Sequence, residues 1–207
     1  MKKIALRMEL SCGHALKFEP TGDTQFAPNE VGHQKTPEII DAYNDLFLNV
    51  YPKFHPNRML EIRIWHGGSL SMWRDVFDTC QIIGVDCQDL MSPTAKAHLA
   101  EDPRVSWQLF TCPSPKLGEM GNFEFIIDDG GHGTEVVFPT FEILWPKLAP
   151  GGIFVIEDWK PDFCNPNEML HMLSNRIRGY WPADDAGPNA PFKVIVYRGL
   201  IAIEKKR

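Results

Sequence analysis

The chain has 207 residues, of which 43% are hydrophobic and 23% charged, enough for one large α/β domain with a substantial core and too few for two full ones. A formal net charge of −6 argues against general nucleic-acid affinity, which needs clustered Lys and Arg to displace phosphate counterions. No run approaches the ~18 uninterrupted apolar residues of a membrane helix, and an opening stretch broken by Arg7 and Glu9 is unlike a secretory core, so the expectation is a cytoplasmic protein that needs neither nucleic acid nor membrane.

Residues 1–36 carry scattered Gly, Pro, Asn and Thr with weak periodicity and read as an irregular N-terminal arm or lid, leaving 37–207 as the core of a single domain. Thr36-Pro37 opens a helical pattern in which Ile39, Ile40, Tyr43, Leu46 and Phe47 share one apolar face, stopped by Pro52 and Pro56. From Met59 onward, short apolar runs alternate with amphipathic stretches, the pattern of βαβ units and a parallel sheet. Strands are predicted over 59–64, 81–85, 105–110, 123–127 and 153–156. Helices are predicted over 69–77, 94–100, 134–148 and 168–178, with Pro139 implying a kink or a late start in the third. Residues 192–197 and 200–204 flank Arg198-Gly199 and read as a β-hairpin, followed by a solvated tail at Lys205, Lys206 and Arg207. The five cysteines (Cys12, Cys80, Cys87, Cys112 and Cys164) are odd in number and lack C-x-x-C spacing, which suggests reduced thiols rather than a disulfide framework or a zinc site.

Two stretches carry chemistry. The segment Leu60-Glu61-Ile62-Arg63-Ile64-Trp65-His66-Gly67-Gly68-Ser69 sets a strand, a glycine turn and a helix start in sequence, where free N–H groups attract an anion such as a carboxylate. Asp86 ends the next strand, 19 positions after Gly67, where an acid can accept hydrogen bonds from both ribose hydroxyls of an adenosine-containing cofactor. These signals do not by themselves separate adenosylmethionine from a nicotinamide dinucleotide. His33, His66 and Trp65 read as pocket lining or ordinary packing.

The second stretch is Phe125-Ile126-Ile127-Asp128-Asp129-Gly130-Gly131-His132, an apolar strand that delivers acids and a histidine at its carboxyl end, where open α/β sheets bind ligands. The strand Ile153-Phe154-Val155-Ile156 brings Glu157-Asp158 to the same edge. Converging carboxylates repel unless a cation is present, and oxygen-only ligation favours Mg²⁺, with Asp129, Glu157 and Asp158 as ligands. His132 could then take a proton from a substrate hydroxyl held by the same metal.

At this point the chain resembles the metal-dependent sugar O-methyltransferases of macrolide biosynthesis and the related proteins called cephalosporin hydroxylases. The resemblance is carried by Leu60-Glu61-Ile62, Gly67-Gly68-Ser69-Leu70-Ser71-Met72-Trp73-Arg74, Gly84-Val85-Asp86, Ile127 to His132, and Pro150-Gly151-Gly152 leading to Val155-Ile156-Glu157-Asp158. It covers about 59–159, with a looser likeness near 32–43. It implies a Rossmann-like class I methyltransferase fold: a mostly parallel seven-stranded sheet with a C-terminal antiparallel hairpin and helices on both faces. It further implies S-adenosylmethionine and Mg²⁺ as cofactors, His132 as general base, and Asp129, Glu157 and Asp158 as metal ligands. Glu61, Gly67, Gly68, Ser69, Asp86 and Asp128 are the candidate cofactor-binding residues.

The implied activity is O-methylation of a hydroxyl on a sugar or glycosylated small molecule. The alternative is a degenerate binding protein of the same fold, because Arg63 stands where the family has the first glycine of its cofactor loop. No acidic residue follows the third strand, which reads Gln108-Leu109-Phe110-Thr111-Cys112, so adenine contacts must be of another kind. A hydroxylase reading fails on the ligand set, since iron sites of that kind want two histidines with one carboxylate. Acceptor choice falls to the N-terminal arm and the region 162–191. A homo-oligomer is left open, with Trp145, Trp159 and Trp181 as candidate interface aromatics.

Overall fold

A computed structural model describes residues 3–5, 7–10, 13–18, 30–159, 166–179 and 192–206. It is a mixed α/β fold with a seven-stranded sheet, mostly parallel with a C-terminal antiparallel hairpin as the sequence leads one to expect, and a separate three-stranded sheet that the sequence does not signal. The chain divides into two compact units, Met1–Thr111 and Cys112–Arg207.

In the first unit, β1 (Arg7–Glu9), β2 (Ala15–Phe18) and β3 (Glu30–His33) form the small sheet, with β1 antiparallel and β3 parallel to β2. The sequence reading of an irregular arm is corrected here. These strands are three or four residues long, too short for a visible two-residue period, and their pairing is decided by Leu16 and Val31, which are fully buried. Helix α1 (Pro37–Asp45) begins as predicted: the Thr36 hydroxyl accepts a hydrogen bond from the Ile39 N–H, and Pro37 occupies the first turn, where its missing N–H costs nothing. It runs into a π-turn over Leu46–Val50, which sequence periodicity does not reveal.

The unit's parallel strands are β4 (Arg58–Ile62), β5 (Gln81–Asp86) and β6 (Val105–Leu109), in the order β6-β5-β4. Helix α2 (Gly68–Val76) joins β4 to β5, and α3 (Pro93–Ala100) joins β5 to β6. Around Trp73 the rings of Tyr43, Phe47 and Phe77 form an aromatic core, with Tyr43 meeting Trp73 edge-on at 4.8 Å. At the far end of α2, Arg104 and, less strongly, Arg74 bracket Asp102, each with a 2.7 Å contact, and hold its carboxyl well below the ordinary carboxylate range.

The second unit begins with a short helix, α4 (Lys116–Glu119), absent from the sequence reading because one turn is too short to show a period. Strand β7 (Phe123–Asp128) leads to α5 (Thr134–Leu144), a 3₁₀ turn at Trp145–Lys147, and β8 (Leu148–Glu157). Pro139 lies inside α5, five residues after its start, so the helix does not begin late. After β8 come α6 (Pro166–Gly179) and the hairpin β9 (Phe192–Tyr197) and β10 (Leu200–Lys205). The strand order is β7-β8-β10-β9, with β10 antiparallel to both neighbours. Lys205 is not tail: its ammonium donates to the Trp145 and Leu148 carbonyls and sits over the Trp145 ring, and burial lowers its pKa. Trp145 is thus buried rather than an interface aromatic, and Trp181 lies outside the described residues.

Candidate functional site

In the first unit the candidate cofactor loop follows β4. Gly67 caps α2 in the left-handed region, at φ 88°, which a residue with a Cβ adopts only under strain. The neighbouring glycines are demanded by the protein itself. A Cβ at Gly67 would press on Met91 and Ala95, and one at Gly68 would collide with the Gly32 carbonyl of β3. The close approach read from the sequence as room for a ligand is thus also room for β3 and for the segment leading into α3. Ser69 is buried in the first turn of α2, and the Ser71 hydroxyl donates to the Gly67 carbonyl at 3.0 Å.

Asp86 stands at the end of β5, as predicted, and is 5% exposed. Its Oδ2 accepts the backbone N–H groups of Ile64 and Trp65 at 2.9 and 3.0 Å, and its Oδ1 accepts that of Gln88 at 3.1 Å. The carboxylate therefore shapes the loop. Oδ1 keeps acceptor capacity for a further donor. Glu61 is fully buried and pairs with Lys35 at 3.1 Å, while the Trp73 indole N–H donates to the same oxygen at 3.3 Å. Its Oε2 is buried with no hydrogen-bond partner. Sequence reasoning misses Lys35, because nothing local marks a lysine two residues before a helix as buried.

Arg63 adopts the left-handed backbone that glycine tolerates best, with φ 70°. Its N–H donates to the Val85 carbonyl at 2.7 Å and its guanidinium lies 5.1 Å from the Trp65 ring, itself at φ 47°. Arg63→Gly is expected to be more stable than Arg63→Ala by about 1 kcal/mol, since both lose the ring contact and only glycine tolerates the left-handed backbone without strain. Thermal unfolding should show the two variants about 2–4 °C apart; equal midpoints would mean the loop relaxes out of that conformation.

In the second unit β7 and β8 are parallel neighbours, with Asp128 opposite Ile156, so the acids after them leave the sheet at one edge. Ligand atoms of Asp129, His132 and Asp158, all half-buried, lie within 4.8 Å of one another. His132 Nε2 is 3.9 Å from Asp158 Oδ2. Two carboxylates and an imidazole can hold a divalent cation, and Mg²⁺ sites commonly use one or two carboxylates with water completing the shell. Glu157, the third ligand chosen from the sequence, is not part of this group; it is buried on β8. Asp158 lies one residue beyond the end of β8 with φ 55°, out of the pleat, so these consecutive acids need not share a site.

Asp128 is fully buried, and this burial, reinforced by the Glu157 charge and opposed by the Gly130 N–H at 3.1 Å, pushes its carboxyl up to about 7. A raised carboxyl binds its proton more tightly in the folded chain than in the unfolded one. Its contribution is therefore complete below the unfolded value of 3.8 and is lost as pH rises towards about 7. Urea midpoints of the metal-free protein should fall across that window, and Asp128→Asn should flatten the fall; an unchanged slope would acquit this carboxyl.

No family model matches the chain. Among curated proteins it is similar to the demethylmacrocin O-methyltransferase of Streptomyces fradiae, 37% identical over 113 residues, which is 49% of this chain and 27% of that protein. It is 36% identical to the mycinamicin VI 2''-O-methyltransferase of Micromonospora griseorubida over 112 residues, again 49% of this chain and 27% of that protein. A Streptomyces olivaceus tetracenomycin rhamnosyl 3'-O-methyltransferase is 33% identical over 188 residues, 75% of this chain and 46% of that protein. The chain thus spans less than half the length of these relatives. Among solved structures it is similar to the MycE methyltransferase of the mycinamycin pathway in complex with Mg and SAH, with TM-score 0.61 and 27% identity over 83% of this chain and 52% of that one. The same enzyme is solved with Mg, SAH and mycinamycin VI. An SAH-bound Podospora anserina methyltransferase, 17% identical with TM-score 0.56 over 90% of this chain and 85% of that one, shares the fold.

Proposed function

We propose that this chain, which has the fold of the class I methyltransferases and a sequence similar to their macrolide sugar O-methylating members, is an S-adenosylmethionine-dependent O-methyltransferase assisted by Mg²⁺. Its acceptor would be a hydroxyl on a sugar or a glycosylated small molecule. The observation that carries the reading is the convergence of Asp129, His132 and Asp158 at the ends of β7 and β8, in a chain whose β4–α2 loop has the architecture of a cofactor loop.

Cofactor binding is assigned to the first unit, at Gly67, Gly68, Ser69 and the remaining acceptor of Asp86. Glu61 supports the loop from beneath through Lys35 and Trp73 rather than by reaching solvent. In the second unit Asp129 and Asp158 would hold the cation, with Glu157 and Asp128 as the buried acids behind them. The cation, when bound, would lower the pKa of a coordinated hydroxyl and orient it. His132 accepts the hydroxyl proton; the oxygen takes the methyl group, and the electron pair of the broken sulfur–carbon bond returns to sulfur, leaving a neutral thioether. Asp158, 3.9 Å from His132, stabilises the imidazolium that results.

Titration calorimetry with S-adenosylmethionine and S-adenosylhomocysteine, with and without Mg²⁺, tests the reading. Micromolar binding that weakens in Asp86→Ala, together with methyl transfer to a glycosylated macrolide, would support it. Absence of binding under every condition would favour the degenerate binding protein instead, with Arg63 closing the loop.

A further inference from the structure

Asp158 is the residue of the metal group whose backbone is strained. It comes directly after the last residue of β8 with φ 55°, in the left-handed region that few non-glycine residues occupy and that is strained when held. Strain of this kind persists only where surrounding contacts over-determine it. Two hydrogen bonds of this kind, to Asp158 and to its neighbour, come from the C-terminal hairpin. The Asp158 N–H donates to the Gly199 carbonyl at 2.8 Å, and the indole N–H of the next residue, Trp159, donates to the Tyr197 carbonyl at 3.0 Å.

The two acceptors flank Arg198 in the turn between β9 and β10. That turn is itself fixed: Gly199 has φ 83° and is buried, Tyr197 pairs with Leu200, and Leu200 pairs with Glu157. Every link from the hairpin register to the Asp158 backbone is thus a hydrogen bond or a strand pairing. A left-handed residue also ends the pleat, so the direction of the Asp158 side chain is set by this clasp and not by strand alternation.

We propose that the β9–β10 turn is a positioning element for the metal site, with Trp159 and Gly199 as positioning residues that hold Asp158 toward Asp129 and His132. The inference rests on the reading of Asp158 as a metal ligand. It assigns to the hairpin a role in tuning cation affinity that the edge of a sheet does not otherwise have, and Trp159 becomes a clasp rather than an interface aromatic.

The test is Mn²⁺ affinity of the full chain, by calorimetry and by the electron paramagnetic resonance signal of free ion, in wild type, Trp159→Phe and Gly199→Ala. Trp159→Phe keeps an aromatic ring and removes the N–H, so its fold is expected to survive. Gly199→Ala approaches the same clasp from the turn. The expected result is Mn²⁺ binding weakened about tenfold in each variant, the usual scale for removing an outer-shell support. S-adenosylhomocysteine affinity should stay within about twofold of wild type, a readout that general loosening would move as well. Mn²⁺ affinity unchanged in both variants would overturn the clasp. Failure of the wild type itself to bind Mn²⁺ would overturn the metal reading, and the clasp with it, a result separable because it precedes any substitution.

Discussion

His132→Gln is expected to lower methyl transfer by about 10²- to 10⁴-fold, the range that a positioned general base contributes, while leaving divalent-cation affinity within about threefold. Glutamine is similar in reach and can hydrogen-bond to Asp158, but it cannot take the hydroxyl proton. The arrangement makes this substitution decisive, because His132 lies close enough to Asp129 and Asp158 to serve as a third ligand instead. Were it a ligand, Mn²⁺ affinity would fall together with the rate, and a softer transition metal would replace Mg²⁺ as the preferred ion. Asp129→Asn is the companion measurement. It should cost cation affinity first, with the rate restored in part by raising Mg²⁺; a rate loss that no cation concentration relieves would argue against a ligand role for Asp129.

The second large effect lies beneath the cofactor loop. Lys35→Met is expected to destabilise the protein by about 3–5 kcal/mol, because it leaves the Glu61 carboxylate buried without its cation. The side chains are 2% and 0% exposed, so water cannot substitute for the lost partner. The double variant Lys35→Met with Glu61→Gln should recover most of that loss, since the amide oxygen can still accept the Trp73 indole N–H and no ionised group remains. Urea unfolding of the single and double variants measures the coupling. A single-variant loss under about 1 kcal/mol, the scale of an exposed pair, would show that Glu61 finds another partner or a proton. The same pair explains how residues upstream of α1 bear on the loop: Lys35 ties the segment after β3 to β4, and Gly32 lies against Gly68 at the start of α2.

Much of the fold was legible because its elements are long and their local signals agree. The apolar runs at Leu60, Ile82, Val105, Ile126 and Val155 lie in β4, β5, β6, β7 and β8, and the Thr36-Pro37 and Arg198-Gly199 signals fall at a helix start and a hairpin turn. The candidate acids were legible for a related reason: a parallel strand delivers its last residues and the loop after them to the carboxyl edge of the sheet, so Asp128-Asp129 and Glu157-Asp158 could be placed without knowing any contact. A sequence pattern cannot express which member of each acidic pair turns into the group and which turns into the core. Asp129 and Asp158 join His132, whereas Asp128 and Glu157 are buried, because a strand's alternation and one left-handed residue decide direction after the last pleated residue.

The chain's own order of residues therefore determined the α/β class, the strand and helix succession and the chemistry available at the strand ends, all properties of local periodicity and residue type. Tertiary structure alone decided the rest. It paired β1, β2 and β3 where no period shows, drew Lys35 into contact with Glu61, committed Asp86 to the loop N–H groups, and set the hairpin turn against Asp158. Each of these joins residues separated by many positions, and its free energy comes from burial and hydrogen bonding that exist only once the distant partner arrives.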